Sequence, residues 1–366
     1  MKRITTKLCG LLCLLASLFW GQPASAEPYL SVREGLPCSS CHVNPTGGGL
    51  RSTFGDIYSQ TQMPQQQLDM GAPGLWLGNV GDRFRIGGNY RYDFTYNNVP
   101  HEKNTDSFGI DDFRLYGAAS LIQDRLILYI DELIAPGGTQ NREAYGLLSL
   151  FDQRVYVKAG QLYLPFGYRL QDDEAFVQQV SGINYTTPDG GIEAGTQHGP
   201  WAGQLALTNG NGGSPSDNNQ GKQVTANFVY LKPGWRLGVS YADNEATMDR
   251  RQMAALYAGL RTGPVAWLAE GVYVADSSVA PKVDDYAGLL EADWAFWRGN
   301  NLKITAEFVD PNVHVDHDQR NRFSVVWEYT PIQFVQTRLG LRDYNGIPQD
   351  DLENERQAFL ELHLFF

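Results

Sequence analysis

The chain has 366 residues and a formal charge of −12 at pH 7. An acidic balance of that size argues against nucleic acid as a partner, because phosphates demand a basic surface. It is compatible with an outer surface that attracts cations. The first element has the form of an export signal. Lys2, Arg3 and Lys7 precede an apolar core from Leu8 to Trp20, and Ala24-Ser25-Ala26 offers small residues for cleavage. Residues 1–26 are therefore expected to leave as a signal peptide. The apolar run is too short for a spanning helix, and Gly21, Gln22 and Pro23 end it. The residues before Cys9 and Cys13 fit no lipoprotein box. Cleavage removes three basic residues, taking the charge from −12 down by three to −15, and leaves Cys38 and Cys41 as the remaining cysteines. One close pair is no disulfide scaffold.

Residues 27–75 are expected to form a short haem-bearing segment. Cys38-Ser39-Ser40-Cys41-His42 is C-x-x-C-H, the attachment pattern of c-type haem. Two thiols add across the porphyrin vinyl groups, and the adjacent histidine reaches the iron. A two-cysteine redox site would need no adjacent histidine, and a zinc site would need more ligands nearby. The expected cofactor is thus one covalent haem c on Cys38, Cys41 and His42. Met63 is the first candidate for the sixth ligand, with Met70, His363 or an open position as alternatives. Asn44-Pro45-Thr46-Gly47-Gly48-Gly49 follows directly. Glycines there would let backbone approach a flat cofactor, and a flexible turn explains them as well. No Lys-Ser/Thr pair follows, so this is not a phosphate loop.

Residues 76–366 read as an all-β transmembrane antiparallel barrel of about 16 strands. Phe84, Ile86, Tyr90, Tyr92 and Phe94 alternate with Arg85, Asn89, Arg91 and Asp93. Leu302, Ile304 and Phe308 alternate with Lys303, Thr305 and Glu307, and Leu360, Leu362 and Leu364 with Glu361 and His363. Period two with one charged face is the strand signature. Short turns are expected near 123–124, 152–153, 199–200, 233–234, 263–264, 298–299 and Pro331-Ile332. Long polar loops are expected near 97–107, 136–141, 165–190, 209–222, 243–249, 276–284, 310–320 and 344–355. That rhythm suits an outer-membrane barrel with tight periplasmic turns and long outer loops. Aromatics such as Trp201, Tyr230, Trp235 and Trp294 stand at strand ends, as interface girdles do, and Phe366 closes the chain. An even strand number puts both termini on the periplasmic side of a Gram-negative outer membrane. Cross-strand packing is the preferred reading of the many tyrosines, over an electron-hopping chain.

These pieces resemble the outer-membrane cytochrome–porin fusions, a family in which a single-haem segment is thought to plug or sit inside a porin barrel. The resemblance rests on Cys38-Ser39-Ser40-Cys41-His42, Pro45 and Phe54-Gly55, and covers residues 29–58 by motif and the rest by architecture. It implies Cys38 and Cys41 as attachment points and His42 as proximal ligand. Some members are associated with iron oxidation. Thr46 to Gly49 departs from the family's short spacer. Separately, Gly160-Gln161-Leu162-Tyr163-Leu164-Pro165-Phe166-Gly167 is similar to a strand-end motif of phosphate-type porins.

The expected function is electron transfer between an extracellular donor or acceptor, Fe(II) among them, and a periplasmic c-type cytochrome or other soluble carrier. An extracellular Fe(II) oxidase is the enzymatic form of that expectation. A candidate outer metal site is His314, Asp316, His317 and Asp318, two imidazoles and two carboxylates in one loop. Asp172-Asp173-Glu174, Asp350-Asp351, Glu353 and Glu355 add acidity on other loops, and such carboxylates also bridge cations to lipopolysaccharide. The alternative is a porin-type anion channel with a haem-bearing plug or sensor, in which Arg85, Arg91, Arg114, Arg236, Arg338 and Arg342 line the lumen. Glu307, Glu328 and Glu361 would equally make lumen salt bridges of them. A haem peroxidase would need a distal His/Arg arrangement that the short segment lacks.

Overall fold

In the computed structural model the described residues are 27–366, except 72–73, 173, 213–216, 218–219, 246–249 and 278–281. The signal-peptide expectation lies outside them. Sixteen antiparallel strands run from β2 (Phe84–Asn98) to β17 (Arg356–Phe365), each paired with the next in the chain. A two-residue strand, β1 (Asn79–Val80), pairs with the start of β2. β17 returns to pair with β2 over ten residues, from Arg356 opposite Asn98 to Phe365 opposite Asn89. That ladder closes the sheet into a barrel. Closure satisfies every edge, which a spanning sheet requires because lipid offers no hydrogen-bond partners.

The alternation places the faces as expected. Leu360, Leu362 and Leu364 are exposed outward, while Glu361 and His363 are buried inward. On β14 (Asn300–Asp310) Ile304 faces out, and Lys303, Thr305 and Glu307 face in. Trp201, Tyr230 and Trp235 meet edge-on and tilted at the short-turn end, with ring centroids 4.2 and 5.2 Å apart. The turns alternate short and long as read from the sequence, with one shift. Pro331 and Ile332 still belong to β15 (Arg320–Ile332), and the turn falls at 333–334, where Phe334 takes φ +68°. Pro331 has no N–H to lose, and its carbonyl accepts from Gln66 instead.

Many of the inward charges are paired. Arg91 bonds Glu361 at 2.9 Å, Arg338 reaches Glu328 at 3.3 Å, and Lys158 reaches Glu193 at 3.2 Å. Arg322 bonds both Asp172 at 2.9 Å and Glu307. Pairing is required, since a lone buried charge costs several kcal/mol.

One expectation is corrected here. The segment 165–190 was expected as a long polar outer loop, but the connection the fold makes, 163–188, folds into the lumen. Leu164, Phe166, Tyr168, Leu170, Phe176 and Val177 are buried there and outweigh its polar residues. Its short helix, Phe176–Ser181, packs against the strands Val265–Asp276 and Val283–Trp297 and against β14.

Leu256, 61% exposed at the middle of β11 (Arg250–Thr262), faces outward. Leu256→Arg is expected to cost about 2–4 kcal/mol in urea unfolding from lipid vesicles, as charges at a bilayer midplane do. Leu352→Arg, in the exposed 346–355 loop, is expected to leave stability within about 0.5 kcal/mol.

Candidate functional site

Two segments meet inside the lumen. Residues 27–70 enter from the short-turn end. Helix α1 (Pro28–Glu34) starts on a proline and stops at Gly35, whose left-handed backbone returns its N–H to Ser31. Helix α2 (Cys38–Cys41) is a single turn, and His42 N–H closes it on the Cys38 carbonyl at 3.0 Å. Helix α3 (Thr53–Thr61) is capped by Ser52, which accepts from Gly55 N–H at 3.1 Å and donates to the Ser40 carbonyl at 2.7 Å. One serine thus ties α3 to the cysteine turn. Gly55 makes the close approach possible: a Cβ there would lie 2.1 Å from the Cys41 carbonyl oxygen.

The barrel wall holds the segment by buried polar contacts. Asn44 donates to Glu143 at 2.8 Å and accepts from Lys158 at 3.2 Å. Leu50 N–H donates to the Tyr129 hydroxyl at 3.0 Å. Gly49 sits at φ +63°, and a Cβ on it would lie 1.9 Å from that hydroxyl. The glycine run is therefore set by contact with the barrel wall and by left-handed backbone. At the mouth Arg298 donates to the Pro64 carbonyl, Gln65 N–H to the Thr330 carbonyl, and Arg85 pairs with Asp56 at 2.6 Å.

From the other end the 163–188 loop descends to meet it. Arg169 donates to the Gly47 carbonyl at 3.0 Å, and Gly48 lies against the Tyr185 hydroxyl. Between the two segments and the wall lies a cavity of about 530 Å³, lined by Cys38, Cys41, His42, Met63, Tyr156 and Phe166 among others. That size falls within the roughly 300–1,000 Å³ of cofactor pockets.

The donor set fits a covalent haem. Both cysteines are free and reach the cavity. Burial, with Cys38 beside it, pushes the Cys41 thiol up to about 11, the opposite of the depressed thiol a dithiol redox site uses. Burial, then the Arg51 charge, pushes His42 down to about 3, so the imidazole is in its neutral, metal-binding form. Its Nδ1 is buried without a hydrogen-bond partner among the described residues. Met63 is buried and shares the cavity, whereas Met70 is exposed and does not line it. His363 lies near His42 across a small adjoining pocket, but its ring nitrogens are occupied by Gln336 and Asn89.

The outer-loop residues are not gathered. His314 contacts Asp284, at the start of the strand Val283–Trp297, at 3.1 Å, and His317 is exposed with φ +68°. Among the described residues, the metal-type cluster is instead Asp93, Asp111 and Glu361. Asp172 is no outer-loop acid. Arg322 and Arg342 hold its carboxyl well below the usual range despite its burial. Of the other loop acids, Asp351 contacts His101 at 3.1 Å, and Glu353 pairs with Arg320 at 2.6 Å. The lumen arginines are engaged too, Arg114 by Asp112 and Arg236 over the Tyr168 and Tyr257 rings. Tyr168, Arg169 and Tyr185 escaped the sequence reading. The apolar residues of their supposedly polar loop were the available signal.

No family model and no curated protein matches the chain. Among solved structures it is similar to OmpT of Vibrio cholerae in its trimer form, at 9% identity and TM-score 0.61, over 78% of this chain and 100% of that one. The chain has the fold of an outer-membrane porin. The anion-selective porin from Comamonas acidovorans aligns at 11% identity and TM-score 0.59, over 77% of this chain and 99% of its own. OprB of Pseudomonas putida matches at 11% identity and TM-score 0.59, over 78% and 94%. At such identities the likeness concerns the barrel.

Gly55→Ala drives a methyl into the Cys41 carbonyl, and overpacking of this kind costs about 1–3 kcal/mol. In the haem-free, full-length protein the variant should be cleaved by trypsin after Arg33 and Arg51 roughly tenfold faster or more than wild type, with the barrel bands unchanged on gels.

Proposed function

We propose that the protein is an outer-membrane electron conduit of the cytochrome–porin fusion type. It passes electrons between an extracellular donor or acceptor and a periplasmic c-type cytochrome. One observation carries the reading: a C-x-x-C-H turn with free thiols and a buried, neutral histidine lines a cofactor-sized cavity inside a porin-type lumen. Cys38 and Cys41 would hold the group covalently, His42 would bind its iron, and Met63 would be the candidate sixth ligand. The haem supplies a one-electron carrier in a span of about 30 Å of hydrocarbon, too thick for one tunnelling step. The chain's own contribution is to seat the segment rigidly and to keep water out. Asn44 and Leu50 pin the segment to the wall. The short-turn end, where residues 27–70 enter, is the periplasmic side in this reading, and both termini lie there. Fe(II) is a candidate donor through the family resemblance.

A second reading is a porin-type solute channel with the segment as plug or sensor. It is favoured by the porin fold, including an anion-selective relative in architecture. Against open conduction, the lumen arginines are bonded to Glu328, Glu361, Asp112 and Asp172. Conductance in a planar bilayer separates the two: a plugged conduit stays closed, and a porin gives stable open channels.

The deciding measurement is a visible spectrum of intact cells, in a host that matures cytochromes c, before and after a membrane-impermeant reductant. A sharp c-type α-band is expected, absent from the Cys38→Ala/Cys41→Ala variant. Haem that only a permeant reductant reaches would end the conduit reading in favour of the channel or sensor.

A further inference from the structure

Three cavities follow one another along the lumen. The main one holds the C-x-x-C-H turn, a small one lies between His42 and His363, and a third of about 250 Å³ lies toward the long-loop end. Tyr185 lines all three, and among the described residues it is the one that the main cavity and the outer chamber share. It is buried and held on several sides. Arg114 and Arg169 lie over its ring at 5.0 and 5.6 Å, and Tyr163 meets it edge-on at 5.2 Å.

The outer chamber is polar. Its lining includes Arg91, Arg114, Arg142, Gln140, Gln171 and Thr186. Of the two carboxylates there, Asp112 is occupied by Arg114 and Asn89. Asp111 belongs to the cluster with Asp93 and Glu361, whose charge Arg91 and Arg338 offset at Glu361. Arg142 differs from every other arginine of the chamber. It is half-buried and makes no ion pair or hydrogen bond among the described residues. A guanidinium offers five donors in a planar fork that matches oxyanions and anionic chelates.

We propose that the outer chamber binds a compact, multiply charged anion through Arg142, and that Tyr185 is the wall separating it from the cavity of Cys38, Cys41 and His42. Its use rests on the conduit reading. There the anion is the outer redox solute, an anionic metal chelate whose metal would change oxidation state by one as the group held by Cys38, Cys41 and His42 changes by one in the opposite sense, with no bond made or broken at Tyr185.

The test uses the full-length protein, with and without haem, and a redox-inert pair of probes: hexacyanocobaltate(III) as anion and hexaamminecobalt(III) as cation. By calorimetry the anion should bind, Arg142→Gln should weaken it about tenfold or more, and Arg142→Lys should retain most of it. Indifference to Arg142→Gln, or tighter binding of the cation, overturns the anion site. In planar bilayers Tyr185→Ala should give a steady ion current where wild type and Tyr185→Phe stay closed. A closed Tyr185→Ala barrel that still shows its folded mobility on gels, or an open wild type, overturns the wall. Anion binding by a chain that never acquires haem would sink the conduit reading and leave the site standing.

Discussion

The ladder between β17 and β2 is the constraint on which the rest of the molecule depends. An open sheet of sixteen strands would present unpaired backbone to hydrocarbon at both edges, and each unpaired group costs several kcal/mol there. Closing it makes each strand's two faces unequal. One set of side chains meets lipid and the alternate set meets a lumen that must be filled, wetted or paired. Leu360 and Glu361 are neighbours in the chain and live in opposite solvents.

How this lumen is filled separates the protein from a simple pore. Arg91, Arg338, Glu328 and Glu361 bond across neighbouring strands, and Tyr29 of the entering segment donates to Glu328. Lys303 is bonded to Glu27 at the start of the described chain. Charges on the wall are thus matched partly by the wall and partly by the segment it encloses. The pairing adds modest stability, because desolvation offsets most of the attraction, but a segment that left would strand its partners. The barrel and its content are specified together.

The segment and the inward loop restrict each other in the same way. Gly49 lies against the Tyr129 hydroxyl, and Gly47 lies against the Cys38 side chain while its carbonyl accepts from Arg169, at positions where a Cβ would press on these neighbours. Gly55 lets α3 lie on the Cys41 carbonyl, which leaves His42 inside and both thiols on the cavity. A redox group held by Cys38, Cys41 and His42, as proposed, would depend on rigid placement, since its electronics would follow from burial and from what surrounds its ligands.

Local pattern alone determined the strands, their inward and outward faces, the short and long connections and the C-x-x-C-H turn. Each depends on residues adjacent in the chain: period-two alternation, a turn dipeptide, a five-residue spacing. Three things escaped it because they depend on residues far apart. The 163–188 loop reads as polar, and only the barrel's interior gives Phe166, Tyr168 and Phe176 somewhere to bury. His314 and its acidic neighbours look like a ligand set, yet the loop geometry sends His314 to Asp284. Tyr185 carries no motif at all. Its place between the cavities arises because the loop from one end of the barrel and the segment from the other meet at one depth, which is a property of the closed cylinder.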